Sequence, residues 1–232
     1  MNSPMPPDKS ATTASGKRLD VRRCLGLALL LHFVAIAAIK FHSGTAVDLW
    51  WLSHVALLMA GAGLLIDSTV LWTAALTKIG MLHVLWLFDF GVWLTAGWFP
   101  LGACGYVAEG GIAMWIATLH HFYLLPLLVV LFAKQRRYPL EAPLTATAVF
   151  VYLTIVSRAI LPAGANVNFA FQVTSATRNP ISMWVNGLPD AAYLPALNAV
   201  AFCFFFLPTA ALLWRCAKPA GDERSHGLAH PA

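Results

Sequence analysis

Charge is scarce in this chain. Asp, Glu, Lys and Arg make up 11% of its 232 residues, less than half of the ~25% of an ordinary soluble domain. Hydrophobic residues reach 59% and the mean hydropathy is +0.70. This composition excludes an ordinary soluble enzyme, a disordered chain and a fibrous protein. It also argues against a nucleic-acid binder despite the net charge of +5. Cysteine is scarce too. Cys24, Cys104, Cys203 and Cys216 show no CxxC or zinc-ligand spacing, so neither a disulfide framework nor a metal site is expected. HExxH, GxSxG, Walker A and GxGxxG are missing, and with them the standard signatures of metalloproteases, α/β-hydrolases and nucleotide binders. No cofactor is implied. No internal repeat is visible, which leaves an inverted-repeat transporter without positive support.

What the chain does have is long apolar runs bounded by charges. Cys24 to Ile39 is charge-free and closes at Lys40. Further runs lie between Asp48 and Asp67, from Thr69 to Phe88, between Glu109 and Lys134, from about Pro143 to Leu161, and between Asp190 and Arg215. A helical span needs ~20 apolar residues, and only helices and closed barrels can cross lipid. The runs lack period-2 alternation, so they read as helices. The expected fold is an all-α polytopic membrane helix bundle with six transmembrane helices, seven being possible if the Gly-rich stretch 90–108 also crosses. Basic residues favour six. With six spans the N-terminal cluster, Lys134/Arg136/Arg137 and Arg215/Lys218/Arg224 share one side, which reads as cytoplasmic. The chain is then N-in and C-in in the cell membrane, with 89–111 outside as a folded or half-inserted segment. Residues 1–23 read as a disordered basic cytoplasmic tail, 24–215 as the transmembrane domain and 216–232 as a second cytoplasmic tail. Membrane lipids are the expected partners; the sequence names no protein partner.

Polar residues gather in the outer half of the spans. Placed by the helical rise, Ser53 and His83 lie roughly 7 Å deep and His120 and His121 roughly 13–15 Å deep. Arg158 closes the fifth span, and Asp89, Asn166 and Asn168 flank the outer ends. Ionisable groups within a membrane are costly and point to function. Ser53 shares a small-residue stripe with Ala56, Ala60 and Gly63, which suits close helix packing and turns Ser53 toward the bundle. A neutral His120 or His121 can act as a general base, and Pro126 is expected to kink the helix beyond them. His54 points ~100° away from Ser53. His83 could orient a catalytic group, bind a cofactor or simply sit at the interface, where it is expected. Asp89 and Arg158 could pair, and Lys78 near mid-membrane needs a partner or a route to the surface.

The segments WWLSHVALL and LHHFYLLPLLVVL make the chain similar to the androgen-induced-protein family of multi-pass lipid hydrolases. Ser53 then stands at the position of that family's nucleophilic threonine and His121 at that of its histidine, with Leu125-Pro126 completing the motif. GANVNFAF and NGLPDAAYLP also resemble the outer loop of YwaF-like bacterial membrane proteins and a related transmembrane acyltransferase group. The resemblance implies a lipid ester hydrolase or acyltransferase near the outer leaflet. In it His121 deprotonates Ser53 and an acyl-enzyme forms, with Asn166, Asn168, His83 or Arg158 available to an oxyanion. Two other readings stay open. One is a non-catalytic membrane protein, an assembly factor or transporter. The other is a haem protein using His54, His83 and His121 as axial ligands, against which the inner half of the bundle is poor in histidine.

Overall fold

The computed structural model describes residues 20–173 and 180–217; Lys17, Arg18, Arg178, Asn179, Lys218, Arg224, His226 and His230 lie outside them. Six principal helices run in alternating directions: α1 (Val21–His42), α2 (Leu52–Leu65), α3 (Thr69–Ala96), α4 (Ile112–Gln135), α5 (Glu141–Ile160) and α6 (Asp190–Cys216). All but α2 are long and apolar enough to cross a membrane. The protein is a polytopic membrane helix bundle. Leu27, Leu31, Val34, Val130, Leu144 and Leu212 stand exposed on its outside, as expected of helices apolar all round.

α2 departs from expectation. The run between Asp48 and Asp67 is not one full-length helix. Its first part forms a 3₁₀ turn at Ala46–Trp50, leaving 14 residues of helix, about 21 Å against a ~30 Å hydrocarbon core. α3 departs the other way and continues past Phe88 to Ala96. Asp89 does not end the helix. It is fully buried, because its carboxylate accepts backbone N–H groups of Leu101 (2.6 Å), Ala103 (2.7 Å) and Cys104 (3.1 Å). Gly97, in the left-handed region at φ 77°, ends α3 and turns the chain back toward Asp89. The stretch 97–111 is thus a loop folded over the end of α3, with one helical turn at Tyr106–Glu109. No seventh spanning helix is present among the described residues.

α3 is the hub: α2, α4, α5 and the second half of α6 all pack on it, and α1 packs on α2. Small residues set these distances. A Cβ at Gly26 would lie 2.7 Å from Leu65 N, and one at Gly63 would lie 2.7 Å from Trp72 N. At Gly80 it would meet Thr209 Cγ2 at 2.5 Å, which brings α6 onto α3. Pro208 has no N–H for the preceding turn, and α6 widens into a π turn at Phe202–Phe206, a usual remedy for a broken ladder.

The two ends of the bundle are held by different ion pairs. Arg22 in the first turn of α1 meets Asp67 at 2.9 Å. At the opposite end Lys40 meets Asp48 at 2.7 Å. Arg158 meets Asp190 at 3.0 Å and donates to Ala170 O. The Asp89–Arg158 pair that the sequence allows does not form, since each group is committed to partners of its own.

Candidate functional site: a buried histidine layer

Four helices deliver five histidines to one level of the bundle. His32 comes from α1, His54 from α2, His83 from α3, and His120 and His121 from α4. Ring centroids lie 5.2 Å apart for His54–His120, 4.8 Å for His83–His121, 4.1 Å for His120–His121, and 6.1 Å for both His83–His120 and His32–His120. His54, His83, His120 and His121 are buried. Trp86 closes one side, stacked on His121 at 4.6 Å.

Backbone geometry in α4 fixes the rings. The α-helical ladder breaks at Leu119, between helical segments Ile112–Thr118 and His120–Gln135. Phe122 N–H bonds to Leu119 O rather than to Thr118 O, one residue further back. Thr118 O is thereby released, and His121 Nδ1 donates to it at 3.0 Å. His120 Nδ1 donates to Ala117 O at 3.0 Å, and His32 Nε2 donates to Ile116 O at 2.9 Å. Three consecutive carbonyls at one break therefore orient three imidazoles. The break falls at the histidines, before Pro126, which lies within the helical segment His120–Gln135.

A carbonyl can only accept, so each bonded ring nitrogen carries the hydrogen. In the neutral ring this leaves the lone pair on Nε2 of His120 and His121. His54 follows the same rule, with Nδ1 donating to Asp48 O at 2.7 Å. His32 differs: its lone pair on Nδ1 accepts from Tyr123 OH. His120 Nε2 and both nitrogens of His83 are buried without a hydrogen-bond partner. Buried polar atoms are nearly always bonded, and exceptions need an explanation. A histidine that donates one nitrogen to a carbonyl and keeps the other bare has the arrangement typical of metal-ligating imidazoles.

Ser53 is half-buried and no hydrogen bond joins it to His120 or His121. The inward position on α2 belongs to His54, one residue and ~100° away, while Ala56, Ala60 and Gly63 of the Ser53 stripe are buried in helix contacts. His83, expected at the interface, is instead at the centre. Asn168 and Asn166 have structural bonds. Asn168 accepts Leu52 N–H at 2.8 Å and donates to Trp50 O at 2.8 Å, so it fixes the start of α2 and with it His54. Asn166 accepts the N–H groups of Phe171 and Gln172. Both take left-handed backbone, φ 40° and 56°, which Asn tolerates. Arg158 and Asp89 are likewise tied to their own loops. Lys78 is fully buried, and its Nζ reaches Met59 Sδ at 3.5 Å. His32 and Tyr123 are additions that their spacing did not single out.

Among the described residues, no three His, Cys, Asp or Glu side chains converge their ligand atoms on a point where an ion could sit; the rings pack by face and edge. Their spacing is nonetheless close to that of a ligated set. Metal–nitrogen bonds of ~2.0–2.1 Å in tetrahedral geometry put imidazole centroids about 5 Å apart.

Comparison of the chain with protein-family models, with curated proteins and with solved structures finds no match.

Proposed function

We propose that this protein resides in the cell membrane and binds a transition-metal ion, copper or zinc, through His54, His83, His120 and His121. The observation that supports this reading most is a buried layer of four imidazoles in which His54, His120 and His121 each donate Nδ1 to a backbone carbonyl, while His120 Nε2 and both nitrogens of His83 are buried without a partner. Imidazole is a preferred donor for copper and zinc. Donation of one ring nitrogen to a backbone carbonyl fixes the tautomer and leaves the lone pair on the other nitrogen. The same layer supports a bare ion better than haem. Neighbouring rings pack on one another by face and edge, with centroids 4.1–6.1 Å apart. The reading gives the non-catalytic alternative a chemistry: a protein that holds or hands on a metal ion within the membrane. Ester hydrolysis by Ser53 and His121 needs a hydroxyl–imidazole contact, and Ser53 Oγ has none.

The test is metal counting. Purified protein stripped with a chelator, then titrated separately with Zn²⁺ and Cu²⁺, should take up one ion per chain. The His54→Ala/His120→Ala double variant should lose that uptake while keeping its helical content. Equal uptake in the double variant, or none in the unsubstituted protein, overturns the reading.

A further inference from the structure

A cavity of about 290 Å³ opens at the loop end of the bundle, between the end of α1 and the start of α4. Of its lining residues Lys40 and Ala117 are buried, while Ser43, Gly111 and Ala113 are exposed, so the space runs inward from an open rim. Its charged groups are the Lys40 ammonium and the Asp48 carboxylate, 2.7 Å apart. The Lys40 side chain is only 9% exposed. An ammonium has three hydrogens to donate, and Asp48 Oδ2 takes one. The Ser43 and Thr45 hydroxyls bond each other and Lys40 O. Two ammonium hydrogens and Asp48 Oδ1 are therefore left without a hydrogen-bond partner among the described residues. Along α1 Lys40 stands 18 residues beyond Arg22, about 27 Å of helical rise and close to the ~30 Å of a hydrocarbon core. The cavity thus lies where the headgroups of one leaflet begin.

We propose that this cavity binds the headgroup of a zwitterionic phospholipid that carries a primary ammonium, a phosphoethanolamine lipid of the leaflet at the loop end. The inference uses none of the histidine side chains and stands separately from the metal reading. The lipid phosphate accepts from the free hydrogens of Lys40, and the lipid ammonium donates to Asp48. The four charges then alternate in sign, and the Lys40–Asp48 contact stays in place. Charge complementarity selects this headgroup over others. The paired site is neutral, so an anionic headgroup would leave a negative charge without a counterpart. A choline headgroup has no N–H to donate and is typically held by aromatic faces, whereas no aromatic side chain among the described residues lines this cavity. Its volume is at the lower end for ligand pockets and suits a headgroup without its acyl chains. Those chains stay outside the cavity, where Ala35 and Ile116, each one turn inward of the wall residues Ile39 and Ala113, are exposed. Charged pockets between membrane helices are known to take lipid headgroups.

The test is native mass spectrometry of the full-length protein in detergent, titrated with dioleoyl phospholipids that differ only in headgroup. The first bound phosphatidylethanolamine should be held about tenfold more tightly than phosphatidylcholine or phosphatidylglycerol, the worth of one charge-assisted hydrogen bond. Affinity should fall through the N-methyl and N,N-dimethyl lipids, which lose ammonium hydrogens one at a time; this series needs no variant. Lys40→Gln/Asp48→Asn keeps size and neutrality and should bring phosphatidylethanolamine down to the phosphatidylcholine level, with helical content checked by circular dichroism. Equal retention of the three lipids overturns the proposal, as does tighter binding of phosphatidylglycerol, which would make the site one for anions. A folded double variant that keeps the preference also overturns it, because the lipid then binds elsewhere. None of these results bears on metal uptake, which is counted separately.

Discussion

If the histidine layer is kept for a ligand and not for the fold, removing its worst-satisfied member should stabilise the ligand-free protein. His83 is that member: the ring is 2% exposed and neither nitrogen has a partner. A buried polar group left unbonded costs about 1–3 kcal/mol, so two nitrogens cost about 2–6 kcal/mol. His83→Leu removes both and keeps an apolar body of similar size. Imperfect shape costs about 1 kcal/mol against this, and partners found in the membrane-inserted unfolded chain reduce the gain further. The net expectation is a stabilisation of about 1–3 kcal/mol. The assay is reversible unfolding in mixed micelles with chelator present, followed by circular dichroism. The same variant should then respond poorly to metal. An ion at 100 times its dissociation constant stabilises a binding protein by about 2.7 kcal/mol, so the order of the two proteins should narrow or reverse on adding Cu²⁺. A chelated His83→Leu protein that is less stable by more than 1 kcal/mol refutes the reasoning, because it means that the His83 ring is held by bonds of its own.

Other expectations follow from the loops and the core. Asp89→Ala removes the acceptor of three loop N–H groups and should cost about 3–5 kcal/mol, at the level of breaking a buried charge network, with proteolysis appearing first within 97–111. Asn168→Ala should cost about 2–3 kcal/mol, since a buried Leu52 N–H and Trp50 C=O lose their partners together; equal stability by the same unfolding assay would show that α2 starts without it. Lys78→Met should stabilise the protein by about 1–3 kcal/mol by removing a buried amino group bonded only to a thioether. Burial, together with the hydrogen bond and charge of Asp89, pushes the Cys104 thiol up from 9.0 to about 12. The unfolded chain therefore releases this proton first, and stability falls as pH rises from about 9 to about 12; Cys104→Ala should flatten that part of the profile, and maleimide should leave Cys104 unmodified at pH 8.

The bundle is legible from the sequence because lipid imposes a simple rule: long apolar runs, charges at their ends, helices throughout. The misplacements come from treating every charge as a boundary. Asp89 looks like the end of a span, yet three backbone donors from its own return loop solvate it, so the helix runs through it. Those donors sit 12–15 residues downstream, in a Gly-rich stretch whose fold no periodicity reports. α2 fails for the complementary reason. Its apolar composition is long enough to cross, but Asn168, 116 residues from Leu52, sets where the helix begins.

The site is harder to read, and the difficulty is geometric. Local metal motifs are visible because one helix face or one turn carries two ligands at a fixed spacing. Here His54, His83 and the His120-His121 pair come from three different helices, so their convergence depends on helix rotations that the chain order does not encode. Ser53 and His54 differ by one residue, and a 100° rotation of α2 decides which of them faces the bundle centre. The contacts that set this rotation, Gly26 against Gly61 on one side and Gly63 against Trp72 on the other, involve residues with no chemistry of their own. The break at Leu119 is equally silent in sequence, yet it supplies the carbonyls for three rings. Small residues and a broken turn therefore choose between a hydroxyl chemistry and an imidazole chemistry on the same helix, and the choice follows from packing before any functional group is considered.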